Sequence, residues 1–297
     1  MKKVAAVVVT YNRKELLKEC LEALEKQSYP CDILVVDNAS TDGTEEYIRA
    51  IKNKCNNLYY QNTGANIGGA GGFNFGIRWA VKTGYEYVWV MDDDCIVQSM
   101  TLEKFMNADS NLGKNYGFLS SKVLWKDNNI CTMNVQRETM FSNVKVFDKP
   151  LVKVVMASFV SLFIPTKVVK ELGLPIKEFF IWTDDWEYTR RISRKYPCYL
   201  VNDSIVIHKS KSNIGANIAN DSVDRLNRYF YLYRNDVYLY KREGIKGFFY
   251  EVIRLSLHIF RIFMNVKYNK LKRLKYIFSG TNAGLKFNPQ IEYVEYD

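Results

Sequence analysis

Residues 4–9 form an unbroken apolar run that ends at Thr10. A run of strand length without alternation predicts a parallel strand covered on both faces. The period then changes. Leu16, Leu17, Cys20, Leu21 and Leu24 recur at helical spacing within 13–26. Short apolar runs at 33–36, 58–61 and 87–91 predict three more strands, and helical patterns over 45–51 and 75–82 separate them. Four such steps predict an α/β fold with a doubly wound, mostly parallel sheet. Beyond it the pattern weakens. Residues 116–165 hold short β-like runs, with a buried strand expected over 154–164. A helix should open at about Asp184, and a strand over 198–207 should end at His208. From Asp221 onward the chain reads as helical and aromatic. The last change of character falls near 220, so we divide the chain into 1–220 and a C-terminal helical, basic appendage over 221–297.

In open α/β sheets ligands bind beyond the carboxyl ends of the strands. The polar clusters lie there: T-Y-N-R after the first strand, D-N-A-S-T-D-G after the second, G-A-N-I-G-G-A-G-G after the third and D-D-D after the fourth. Three adjacent carboxylates after an apolar strand repel one another unless a cation or a donor network compensates them. Alternate strand residues share a face. Asp92 and Asp94 can therefore converge on one ion while Asp93 points elsewhere. Oxygen ligands of this kind suit Mg²⁺ or Mn²⁺, which keep open positions for phosphates. The simpler reading of the triplet is a loop cap. Farther on, W-T-D-D-W-E (182–187) pairs two carboxylates, which pushes one pKa up and offers a general base. It also reads as a helix start, with Thr183 as N-cap and acids in the first turn. Residues 66–72 are too glycine-rich for a plain turn, and glycine lets backbone approach a ligand closely.

The order V-V-V-T-Y-N-R (7–13), V-V-D-N-A-S-T-D-G-T (35–44), N-I-G-G-A-G-G-F (66–73), M-D-D-D (91–94) and W-T-D-D-W-E (182–187) resembles the inverting, GT-A-type glycosyltransferases of family 2. The resemblance covers about residues 1–240. It is nearest to bacterial galactofuranosyltransferases, then to rhamnosyltransferases of surface-polysaccharide pathways. In the former a Trp directly precedes the acid pair, whereas here Thr183 intervenes. The resemblance implies a GT-A catalytic domain over 1–220, with a nucleotide-sugar half over about 1–97 and an acceptor half over about 98–220. It implies a UDP-sugar donor, with UDP-galactofuranose first, and a glycan or polyprenyl-linked acceptor. Asp92 and Asp94 would hold Mn²⁺ or Mg²⁺, with His208 as third ligand. Thr10, Asn12, Arg13, Asp37, Asn66 and Asp93 would line the nucleotide. Asp185 would be the base, with Trp182, Asp184, Trp186 and Glu187 on the acceptor side. Two other readings stay open: a sugar nucleotidyltransferase, which leaves W-T-D-D-W-E unexplained, and a silent scaffold that binds glycan or lipid.

Composition changes this picture in three places. Across 297 residues the apolar share of 47% is enough for a sizeable core and argues against global disorder. Six scattered cysteines without a C-x-x-C pair, and an N-terminal apolar run too short for a signal peptide, predict a reduced, cytoplasmic chain without disulfides or zinc. The net charge of +10 is concentrated: residues 241–276 hold ten Lys or Arg against two Glu. No nucleic-acid module accompanies them. In 245–264, Phe249, Val252, Ile253, Ile259, Phe260, Phe263 and Met264 share one helical face, and Glu251, Arg254, His258 and Arg261 the other. That face either packs on the core or meets an anionic membrane at the inner face of the cell, and His258 is expected in water.

Overall fold

The computed structural model describes residues 3–52 and 55–295. The first half alternates as the pattern predicts: β1 (Val4–Thr10), α1 (Lys14–Glu25), β2 (Asp32–Asp37), α2 (Thr44–Lys52), β3 (Leu58–Asn62), α3 (Gly68–Lys82) and β4 (Tyr87–Asp92). A tight return strand β5 (Cys95–Val97) leads into α4 (Thr101–Asn111). β6 (Leu119–Trp125), β7 (Arg137–Thr139), β8 (Ser142–Asn143), β9 (Leu151–Lys153) and β10 (Leu162–Pro165) follow. α5 (Thr166–Leu172), α6 (Asp184–Ser193) and β11 (Tyr199–His208) complete the α/β body. Three helices close the chain: α7 (Arg228–Lys241), α8 (Gly244–Asn265) and α9 (Lys270–Lys286).

The central sheet runs β3-β2-β1-β4-β10-β6-β11-β5, with β9 on β11. β1, β2, β3 and β4 are mutually parallel, as are β6 and β11. β10 enters antiparallel between β4 and β6, and β5 and β9 run antiparallel to β11. Every residue of β1 is buried, which is why its apolar run shows no alternation. One face of the sheet packs on Leu17, Leu21 and Leu24 of α1, Ile48 of α2 and Phe105 of α4. The other packs on Phe73 and Ile77 of α3, Val168 of α5 and Tyr188 and Ile192 of α6. The architecture is a three-layer, mostly parallel GT-A-type sheet with C-terminal helices.

Three expectations change. The glycine-rich stretch is not a loop: α3 begins at Gly68 rather than near Phe75. Glycine is a poor helix former, but here it buys close packing. A Cβ at Gly72 would lie 2.6 Å from Val9 Cγ1, and one at Gly76 would lie 2.3 Å from Val7 Cγ1. The strand expected over 154–164 shrinks to Leu162–Pro165, because Ser161 takes a left-handed φ of 59° that breaks the extended run. The third change is at the C-terminal amphipathic helix, where Glu251, Arg254 and His258 turn inward while Arg261 stays exposed. His258, expected in water, is half-buried and shares a 3.0 Å hydrogen bond with Tyr233 Oη. Burial, then the charges of Arg254 and Arg261, push His258 down to about 4.

Candidate active site

The sheet register brings two distant acids and a histidine together. β4 ends at Asp92, the chain turns through Asp93 and Asp94, and β5 pairs antiparallel with β11 so that Cys95 lies opposite His208. Lys209 N–H donates to the Asp94 carbonyl at 2.8 Å and locks this corner. One ligand atom from each of Asp92, Asp94 and His208 then lies within 4.8 Å of the others. Oδ1 of Asp94 is buried without a hydrogen-bond partner, although His208 Nε2 stands 3.1 Å away. A buried carboxylate oxygen is costly unless a cation meets it, whether the protonated His208 ring or a metal ion. The imidazole is held ready for such a role. Its Nδ1 lies 2.7 Å from Asn134 Oδ1, and Asn134 Nδ2 donates to Ser158 Oγ, which turns the amide oxygen toward the ring. Nδ1 therefore carries the proton in the neutral ring, and Nε2 is left as the lone pair that faces the acids.

The electrostatics agree. Burial and the neighbouring Asp94 charge raise Asp92 to about 7. Burial opposes the charge on Asp94 too, but His208 and Arg13 outweigh it and lower that group. Despite its burial, His208 is raised to about 10, chiefly by Asp94. Without an ion the cluster keeps a proton on the ring as its cation. A divalent ion bound by two carboxylates and Nε2 would displace that proton. The donor set of two oxygens and one imidazole nitrogen fits Mn²⁺ or Mg²⁺.

Asp93, in the turn after β4, does not join the triad. It is buried and accepts from Thr10 Oγ1 at 2.7 Å and from Arg13 Nη1 at 3.2 Å. Arg13 also donates to Asp94 at 2.8 Å, yet its side chain stays 48% exposed and so can still meet an anion. Asp37, at the end of β2, is fully buried; it accepts from Ser40 N–H and Tyr60 Oη, each at 2.8 Å. Asn12 ties the first two loops together: its N–H donates to Ser40 Oγ, and its Oδ1 accepts from Thr41 N–H. Asn66 Oδ1 accepts from Gly68 N–H at 2.9 Å and helps start α3.

The acid pair hangs on a strained strap. Phe180, Trp182 and Thr183 take φ of 65°, 65° and 67°, a region non-glycine residues seldom adopt outside functional sites. Asn235 of α7 holds the strap by donating to the carbonyls of Phe179, Ile181 and Trp182 at 2.9–3.2 Å. On the other side Ala70 N–H donates to the Phe180 carbonyl, and Gly68 lies so close that a Cβ there would sit 2.1 Å from that oxygen. Glycine thus admits the strap rather than a ligand at this position. Thr183 occupies the N-cap position of α6 but does not cap it; its Oγ1 donates to Asp236 Oδ1 at 2.7 Å. Asp236 is held in turn by Arg254 of α8 at 2.7 Å, and Arg254 also pairs with Glu251.

At the head of α6, burial raises Asp184 to about 6, partly offset by the first N–H groups of the helix. Burial, then the Asp184 charge, raises Asp185 well above the usual carboxylate range. Asp92 contributes to the same shift, so the acid pair and the triad share one electrostatic environment. Trp182 packs edge-on against Tyr229 at 5.2 Å, and the Arg137 guanidinium covers Trp186 at 4.5 Å. Glu187 is buried, and both its oxygens are taken by Arg191 at 3.0 and 2.8 Å. It is locked into the body of α6 and does not join the other acids.

Sequence reasoning missed Asn134, Asn235, Asp236 and Arg228. Partial burial, then the charges of Arg225 and Arg13, lower Arg228, at the start of α7. The polar triplet R-N-D at 234–236, inside an otherwise aromatic helix, was the available signal for two of the four.

Residues 5–122 match the family model described as Glycosyl transferase family 2. Among curated relatives, "Glycosyltransferase AglE" of Haloferax volcanii is 27% identical over 212 residues, covering 70% of this chain and 67% of that one. "Galactofuranosyltransferase GlfT1" of Mycolicibacterium smegmatis is 37% identical over 92 residues, 31% of this chain and 30% of that protein. The chain therefore spans two thirds of the first relative and under a third of the second. Other relatives carry the names of a mannosyltransferase and an abequosyltransferase. Among solved structures, S. aureus TarS 1–349 in complex with UDP-GlcNAc is similar over 96% of this chain and 73% of that one, at 16% identity and a TM-score of 0.53. GalNAc-T7 with UDP, GalNAc and Mn²⁺ is similar over 78% of this chain and 48% of that one, at 14% identity and a TM-score of 0.59.

Proposed function

We propose that the chain, whose residues 5–122 match the family-2 glycosyltransferase model, is a glycosyltransferase that moves a sugar, with inversion, from a UDP-sugar to a glycan or polyprenyl-linked acceptor in bacterial surface-polysaccharide synthesis. The observation that carries this reading is the convergence of Asp92, Asp94 and His208 beside an acid pair of raised pKa. Asp92, Asp94 and His208 would hold a divalent cation, Mn²⁺ or Mg²⁺, which offsets the charge of the leaving diphosphate when bound. Arg13 adds a second positive group next to it. Thr10 and Asp93 hold the floor of the nucleotide pocket. Asp37 and Asn12 shape its base-binding wall, and Asn66 shapes the turn into α3.

Inversion requires a base on the face of the donor sugar opposite the leaving group. Asp185 takes that role. Its raised pKa keeps it basic enough to accept the proton of the acceptor hydroxyl as that oxygen attacks. Asp184 binds neighbouring hydroxyls of the acceptor, and Trp182 and Trp186 offer it aromatic edges. Residues 1–220 act as the catalytic unit, and 221–297 brace it through Asn235 and Asp236. For the donor, UDP-galactofuranose is favoured by the D-D-D triplet and by the similarity to a galactofuranosyltransferase. A rhamnosyltransferase is the second reading within the same chemistry.

The test is donor hydrolysis across a panel of UDP-, dTDP- and GDP-sugars with Mn²⁺ present. Preferential turnover of UDP-galactofuranose supports the full reading. Preference for another sugar nucleotide corrects the donor alone. Binding of nucleotide without turnover of any donor, with or without acceptor glycans, refutes the activity.

A further inference from the structure

α8 is amphipathic in the inverted sense. Its polar residues Glu251, Arg254 and His258 face the protein, where Arg254 pairs with Glu251 and Asp236, and His258 bonds Tyr233. Ile262 is buried beside them, and Leu255 and Ile259 pack on the same cluster, but most of the large apolar residues face outward. Phe249, Ile253, Phe260, Phe263 and Met264 are each more than half exposed along one side of the helix. Isolated exposed apolar residues are ordinary, but a contiguous row of large ones marks an interaction surface.

We propose that this face of α8 is a docking surface for a bilayer containing anionic lipid, with the helix lying in the plane of the interface. Charge selects this occupant. Lys246, Arg261, Lys267, Lys272 and Lys275 are exposed on α8, α9 and the turn between them. Glu251 is the only acid from Gly244 to Lys286, and it is buried against Arg254. A second copy of the chain seated on the same face would bring two cationic collars together, whereas lipid phosphates neutralise them. The helix lies on the bilayer rather than through it. Its inner side is a buried ion-pair network, and no helix among the described residues is long and apolar enough to cross a membrane. Arg254 reaches Asp236, and Asp236 holds Thr183 beside the acid pair. The docked helix is therefore linked through Arg254 and Asp236 to Thr183, the residue before the acid pair. The inference rests on exposure and charge and holds whichever donor sugar is used.

The test is co-sedimentation of the full chain with vesicles of phosphatidylcholine alone or mixed with a third of phosphatidylglycerol. The chain should pellet with the mixed vesicles at about 0.1 M salt and much less at about 1 M, where the Debye length falls from about 10 to about 3 Å. Each cation near an anionic surface is worth roughly a five-fold change in partitioning. Lys272→Gln with Lys275→Gln should therefore lower it about 25-fold. Phe249→Ser with Phe260→Ser and Phe263→Ser should abolish the remainder that survives high salt. Circular dichroism and light scattering of each variant check fold and mass, and the lysine pair, fully on the surface, tests the proposal even if the triple variant does not fold. Failure of the wild type to prefer anionic vesicles overturns the proposal. So does a dimer that the triple variant dissociates while vesicles are ignored.

Discussion

Gly68 and Gly69 are neighbours with opposite demands. Gly68 has a φ of +76°, and a Cβ there would meet the Phe180 carbonyl oxygen at 2.1 Å and Phe180 Cδ2 at 2.7 Å. An alanine in left-handed backbone costs about 1–2 kcal/mol. Relief of the clash asks the strap to retreat by about 1 Å, and overpacking of that size typically adds about 1–3 kcal/mol. Gly68→Ala should therefore lose about 2–5 kcal/mol of stability. The retreat also breaks the Ala70 N–H bond to Phe180 and moves the segment that leads into Asp184 and Asp185. A displacement of about 1 Å in a catalytic group costs about 10²-fold in rate. Gly69 is the internal control, since a Cβ there meets nothing within 4 Å and φ is not left-handed. Gly69→Ala should gain about 0.5–1 kcal/mol from helix propensity. Urea unfolding of both variants gives the stabilities, and donor turnover at a temperature where both are folded gives the rates. A Gly68→Ala protein with wild-type stability and turnover would refute the idea that close approach at this glycine sets the acid pair.

Asp185→Asn should keep Mn²⁺-dependent UDP binding while transfer falls by about 10²–10⁴-fold; a near-normal rate places the base elsewhere. Arg254→Met leaves Asp236 and Glu251 buried without their cation, and loss of one partner from such a group costs about 3–5 kcal/mol, readable as a lowered urea midpoint. An unchanged midpoint would show that the network is idle. Asp184 is held at about 6 in the fold, above its value in an unfolded chain. It binds its proton more tightly when folded, so its stabilising contribution is present below about pH 4 and is lost as pH rises through about 6. The stability gap between Asp184→Asn and wild type should therefore widen in favour of the variant from about pH 4 to pH 7. A gap independent of pH contradicts the raised pKa.

The first half of the fold was legible because its signals are local. A buried parallel strand writes itself as an unbroken apolar run, as in β1, and a costly polar cluster after it marks the strand end, as at Asp92 to Asp94. His208 needed the family resemblance, since nothing near it in sequence announces a ligand. The groups that orient the site were not legible. Asn134 lies 74 residues from His208, and Asp236 lies 53 from Thr183, so only the folded register brings each to its partner. The glycines of α3 read as a ligand loop because the strap that Gly68 admits and the strand that Gly72 and Gly76 admit are distant in sequence. The burial of His258 and its neighbours was hidden for a related reason. A polar face is read as wet, but Glu251 and Arg254 satisfy one another and Asp236, so this one is buried and its apolar opposite is left outside.

The central claim is that Asp92, Asp94 and His208 bind a divalent cation that in turn binds a nucleoside diphosphate. Calorimetric titration of UDP into the full chain, with and without Mn²⁺, tests it most directly when wild type is compared with Asp92→Asn, Asp94→Asn and Asp185→Asn. Wild type and Asp185→Asn should bind UDP much more tightly with Mn²⁺ than without. Asp92→Asn and Asp94→Asn should lose that difference while remaining folded. Equal Mn²⁺-dependent affinity in all four proteins would contradict the account.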